Sequence, residues 1–132
     1  QTVREQLRLT DEEQVARLER VRTADGVPVS LEVDYLPYPR AASVYRRAKE
    51  TAEGSLYSLM AAEGLQPYIA EQTITVDHAT AREVDLLHIA PQEAGMRLFC
   101  TTFDETGAPI EYTEAFLPAN RYDFRLTLRV GR

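Results

Sequence analysis

Arg20, Arg22 and Glu32 are the residues of this 132-residue chain best suited to chemistry. A guanidinium presents a fixed fork of donors that fits a carboxylate or a phosphate. Two guanidiniums one residue apart suit an anion, and a glutamate beside them would accept from hydroxyl or amide groups of the same ligand. Gathered on one face, the three would form the floor of a polar pocket. The same residues would serve equally as the wet outer side of a half-buried antiparallel strand. The local sequence leaves both readings open.

The element that must position them is a hairpin over residues 15–36. Two runs rich in β-branched residues flank Ala24-Asp25-Gly26, and Asp-Gly between such runs signals a tight β-turn. Odd positions are largely apolar, among them Val21, Val27, Val29, Leu31 and Val33. Even positions hold Arg20, Arg22, Ser30, Glu32 and Asp34. Successive strand side chains point to opposite faces, so the even residues of both arms share one side. A turn centred near Asp25 predicts Arg20 opposite Ser30 and Leu18 opposite Glu32.

Residues 55–64 (SLYSLMAAEG) predict a helix. Ser55 suits the N-cap, Leu56, Leu59 and Met60 form a stripe at helical spacing, and Gly64 suits a left-handed C-cap. Its N-terminus would also suit an anion, with Arg20 and Arg22 as the facing wall. Residues 68–77, 96–104, 109–117 and 124–130 read as strands, and residues 79–87 as a second helix. Residues 2–9 read as a short helix or an extended linker. In the strand over 109–117, Glu114 shares its face with Ile110, Tyr112 and Phe116. A charge in such a row needs a partner, a core arginine or a ligand. Glu111, three positions away, falls on the opposite face. The order predicts an α+β domain with a mainly antiparallel, six-stranded sheet.

Composition narrows the function. The hydrophobic content of 44% supports one domain with a real core. A net charge of −6, with no basic stripe, argues against a grip on a nucleic-acid backbone by this segment. No apolar run approaches the roughly 18 residues of a membrane span, and the start shows no secretory leader. Cys100 is the single cysteine, which excludes an intrachain disulfide and fits a cytoplasmic setting. His78 and His88 do not form a metal-binding pair, and neither a phosphate loop nor a nucleophile elbow is present. No metal, cofactor or catalyst is expected; the candidate site residues are binding groups. The chain opens at Gln1 without a methionine, and residues 1–6 read as the remnant of a linker from a longer protein.

Four stretches in order carry a resemblance: residues 18–37 (LERVRTADGVPVSLEVDYLP), Ser55-Leu-Tyr57 leading to Gly64, residues 107–114 (GAPIEYTE), and residues 120–124 (NRYDF). Together they resemble the UTRA domain, the effector-binding half of HutC-type transcriptional regulators in the GntR family. The resemblance implies a chorismate-lyase-like fold and a homodimer that binds a small anionic metabolite, a sugar phosphate or an organic or amino acid. It implies DNA contact only through a winged helix-turn-helix domain ahead of Gln1. Carried over by position, Arg20 and Arg22 would hold the anionic group with Ser55. Glu32 and Tyr57 would contact the polar body, and Glu114 and Tyr122 would close the far side. After Pro37 the chain reads Tyr-Pro-Arg-Ala-Ala in place of the family's usual Phe-Pro-Gly-Leu, which leaves the effector's identity open. Two alternatives go with the same fold: a chorismate-type lyase, or a dimerisation module whose pocket is vestigial.

Overall fold

The computed structural model describes residues 2–50 and 56–131. Its centre is a five-stranded antiparallel sheet in the order β1-β2-β5-β4-β3. The strands are β1 (Gln14–Ala24), β2 (Val27–Tyr38), β3 (Ile69–His78), β4 (Ala94–Phe103) and β5 (Pro109–Pro118). The helices are α1 (Thr2–Leu7), α2 (Ala42–Glu50), α3 (Leu56–Ala62) and α4 (Ala81–Leu87), and a short 3-10 turn (Ala119–Arg121) follows β5.

The first hairpin forms for the local reason given above. Asp25 and Gly26 both take positive φ, 52° and 80°, and close a two-residue turn whose twist matches the strands. The pairing differs by two from a turn centred on Asp25: Arg20 lies opposite Glu32, Arg22 opposite Ser30 and Leu18 opposite Asp34. A two-residue turn alone would set even residues against odd ones. A register shift between Arg22 and Thr23 adds one residue and restores even against even. The bulge thus brings Glu32 and Asp34 of β2 onto the face where β1 carries both arginines.

Each face of the sheet has its own core. On the side of the even β1 and β2 residues, α2 and α3 pack Val44, Ala48, Leu56 and Met60 against Ala16 and Leu36. On the other side, α4 lays Leu87 on Leu31 and Phe116. A capping box fixes the start of α4, with Thr80 and Glu83 exchanging hydrogen bonds. Of the two readings of residues 2–9, a short helix or an extended linker, the structure shows a helix over Thr2–Leu7, and Leu7 is buried. The tight turn after β4 is held by Asp104, which accepts from the Thr106 and Ala108 amides at 2.9 and 3.0 Å.

The expected sixth strand is the main correction to the architecture. Residues 124–130 have the right alternation but pair with no other strand among the described residues, and Phe124, Leu126, Leu128 and Val130 are all exposed. Alternation predicts a strand's faces; it does not supply a neighbour to hydrogen-bond.

Candidate functional site

A cleft of about 320 Å³ lies between the sheet and the start of α3. That size suits a small metabolite. β1 supplies Arg20 and Arg22, β2 supplies Glu32 and Asp34, and β5 supplies Glu111 and Thr113. Leu56 and Tyr57 close one side from α3, while Gln72, Leu98 and Cys100 extend the floor across β3 and β4.

The charges here are close but loosely joined. The Arg20 side chain is only 10% exposed, with Nη2 3.3 Å from Asp34 Oδ2 and 3.9 Å from Glu32 Oε1. Arg22 Nε stands 3.5 Å from Glu32 Oε1. Tight guanidinium–carboxylate bonds are nearer ~2.8 Å. Among the described residues, Arg20 Nε is a buried donor with no hydrogen-bond partner. A buried donor left unsatisfied costs on the order of 1–3 kcal/mol, and a ligand acceptor would recover it.

The acids behave differently from one another. Asp34 accepts from Thr113 Oγ1 at 2.8 Å as well as from Arg20. Among the described residues Glu111 has no arginine partner, and it accepts a long bond, 3.4 Å, from Thr102 Oγ1. Burial, and then the neighbouring Asp34 charge, push the Glu111 carboxyl well above the usual range, so that it keeps its proton. Burial followed by Asp34 also raises Glu32. With Glu111 neutral, two guanidiniums face two carboxylates, and the lining is electrically balanced rather than cationic. A 2.9 Å hydrogen bond joins the Tyr57 hydroxyl to Thr102 Oγ1. Burial raises both the Tyr57 phenol and the Cys100 thiol, so neither is an activated nucleophile. Among the described residues, no group of three His, Cys, Asp or Glu is arranged to hold a metal ion. Among the same residues, no helix is long and apolar enough to cross a membrane.

The family model described as the UTRA domain matches residues 1–123. The chain belongs to the UTRA domain family. A curated relative, the uncharacterized HTH-type transcriptional regulator RB1450 of Rhizobium meliloti (strain 1021), is 36% identical over 111 residues. That match covers 83% of this chain and 44% of the relative, so the chain spans less than half the relative's length. Among solved structures, the effector domain of PhnF from Mycobacterium smegmatis is 29% identical, with a TM-score of 0.85 over 96% of this chain and 77% of that one. A GntR-family transcriptional regulator from Enterococcus faecalis V583 is 28% identical, with a TM-score of 0.82 over 95% of this chain and 88% of that one.

In this UTRA domain, four of the residues singled out from the sequence line the cleft: Arg20, Arg22, Glu32 and Tyr57. Ser55 lies outside the described residues. Glu114 does not reach the cleft. β5 pairs with β2 so that Glu32 meets Ala115 and Asp34 meets Thr113, which turns the odd residues of β5 toward the cleft and Glu114 away from it. Glu114 instead sits between Val33 and Phe99 on the opposite face and accepts from Tyr112 Oη at 3.4 Å. Tyr122 follows the 3-10 turn, partly exposed, and is not in the cleft lining. Sequence reasoning missed Asp34 and Glu111 as site residues. Asp34 already shared the even face of β2. Glu111 enters only through the β2–β5 register, for which no local signal exists.

Proposed function

We propose that this UTRA domain is the sensor of a GntR-family transcriptional regulator of the HutC kind. A small metabolite occupies the cleft, and its binding alters operator contact by a separate DNA-binding domain. The observation that carries this reading is the buried, unpartnered Nε of Arg20 at the cleft. A guanidinium held loosely by its own acids is ready to accept a stronger partner from outside.

The lining favours a ligand with two kinds of group. A carboxylate or phosphate would sit against Arg20 and Arg22, with Tyr57 beside it. Hydroxyl or amine donors would satisfy Glu32, Asp34 and Glu111. Sugar phosphates and amino acids carry both; a bare inorganic anion does not. The regulator relatives support signalling over lyase chemistry. We further infer a cytoplasmic homodimer.

Thermal shift against a panel of sugar phosphates, amino acids and organic acids tests the reading. A ligand at 100 times its Kd adds about 2.7 kcal/mol to stability. A panel in which no member raises the melting temperature would remove the main support. So would stabilisation that survives unchanged in Arg22→Ala.

A further inference from the structure

The charges of the cleft are sorted along its floor. Strand pairing lays the lining residues in rows. Arg20, Glu32, Ala115 and Leu98 fall in one row, with Arg22 a step beyond it along β1. Asp34, Thr113 and Cys100 form the next row, and Glu111 with Thr102 the one after. Successive rows on one face lie roughly 7 Å apart. The Arg22 end thus holds two guanidiniums and one carboxylate. The Glu111 end holds two acids, and no cationic side chain of the cleft lining stands in its rows.

Each end has a group that the described chain leaves unmet. Arg20 Nε is a buried donor without an acceptor. Glu111 is only 4% exposed, and the groups acting on it are Asp34, Thr113 and Thr102, none of them a cation. With Glu111 holding its proton, the Arg22 end is positive by one charge and the Glu111 end negative by one.

That arrangement selects against a ligand of one sign. A lone anion would bring surplus negative charge up to Asp34 and Glu111, and a lone ammonium would face both guanidiniums. A molecule carrying both charges in the matching order complements both ends. The rest of the lining bears on what joins the two. Leu56 from α3, with Leu98 and Ala115 on the floor, is apolar. These side chains suit methylenes; the hydroxyls of a sugar would lose water against them without a replacement bond.

We propose that the effector is an ω-amino acid, with its carboxylate at Arg20 and Arg22, its ammonium at Asp34 and Glu111, and a methylene chain that holds the charges about one row apart, roughly 7 Å. This rests on the sensor reading above and narrows its ligand. Glu111 determines the specificity, because it is the buried acid that no cation of the lining meets.

The test is isothermal titration of the chain with two sets of probes. One is the length series glycine, β-alanine, γ-aminobutyrate, δ-aminovalerate and ε-aminocaproate. The other is the twin of each longer acid, with a hydroxyl in place of the amine. Kd should fall along the series to a minimum at δ-aminovalerate or ε-aminocaproate. That acid should bind about tenfold or more tightly than its hydroxyl twin. In Glu111→Leu the preference for the amine should disappear, whereas a merely structural role for Glu111 would weaken both twins alike and keep their ratio. Twins of equal affinity overturn the proposal, as do tightest binding by glycine, a series in which nothing binds, and a preference that survives Glu111→Leu. Should that variant fail to fold, the twin and length comparisons on the native chain decide alone. If the series is silent while a sugar phosphate stabilises the chain, the sensor reading stands and the ω-amino acid falls; silence of both removes both.

Discussion

Two arginines on opposite faces of one sheet show the difference between a staple and a site. Arg97 is saturated. Its Nη1 and Nη2 reach the two Glu83 oxygens at 2.7 and 3.1 Å, and its Nε reaches Asp77 at 2.9 Å. Its guanidinium also lies 4.9 Å from the centre of the Phe116 ring. Arg20 has acids just as near in sequence space but meets them at 3.3 and 3.9 Å, with Nε left over. Residue type and burial are alike. What separates them is satisfaction: each guanidinium nitrogen of Arg97 has a hydrogen-bond partner, whereas Arg20 leaves its Nε without one among the described residues. Arg97 joins α4 to the sheet, and Arg20 lines a cleft that nothing fills from within the described chain.

The largest effect should come from breaking the saturated side. In Arg97→Ala, Glu83 is left 10% exposed without its bidentate partner. Removing one member of a buried pair costs about 3 kcal/mol after allowance for the partial exposure of Arg97. For a chain of this size that is roughly a 10 °C fall in melting temperature. Ligand stabilisation at the cleft should persist, measured as the shift on top of the lowered baseline. A fall of only a degree or two would mean that the two arginines are equivalent after all.

Arg22→Ala probes the other face. Arg22 is about a third exposed and 3.5 Å from its acid, so its removal should change ligand-free stability by less than about 1 kcal/mol. The whole ligand-induced gain, about 2.7 kcal/mol at 100 times Kd, should vanish. Arg20→Ala is a poorer probe, because it also strands the buried Asp34.

The contrast also marks where the sequence was informative. Strict alternation in β1 and β2 placed Arg20, Arg22 and Glu32 together, since side-chain direction is a local property. The bulge between Arg22 and Thr23 preserved that placement while shifting every cross-strand partner. Glu111 and Glu114 could be assigned to opposite faces but not to the right ones. Which face points at the cleft depends on how β5 registers against β2, and that is settled by the packing of both cores. Residues 124–130 show the same limit: their pattern names a strand, and only another strand's edge can make it one. Residues 79–87 were legible as a helix, yet nothing local tied Glu83 to Arg97 across the sheet.

The smallest effect is the most specific, because the two faces should respond to pH with opposite sign. Burial pulls Glu83 upward, but the hydrogen bonds from Arg97 and the Thr80 amide outweigh it, and the net shift is down. Its folded form therefore binds fewer protons than the unfolded chain, and the stability it contributes is lost as pH falls below the usual carboxylate range. Glu111 is shifted up by burial and by Asp34. Its folded form holds a proton that the unfolded chain releases, so stability declines as pH rises from the usual carboxylate range toward its raised value. Glu111→Gln keeps the neutral shape and removes the titration. Relative to the native chain it should gain on the order of 1 kcal/mol between pH 5 and pH 8. Arg97→Ala should flatten the acid limb instead and leave the neutral one unchanged. Melting temperatures of the three proteins from about pH 2 to about pH 9 separate the two faces. Parallel curves for Glu111→Gln and the native chain would show that Glu111 is already ionised, and that the cleft is more acidic than its geometry implies.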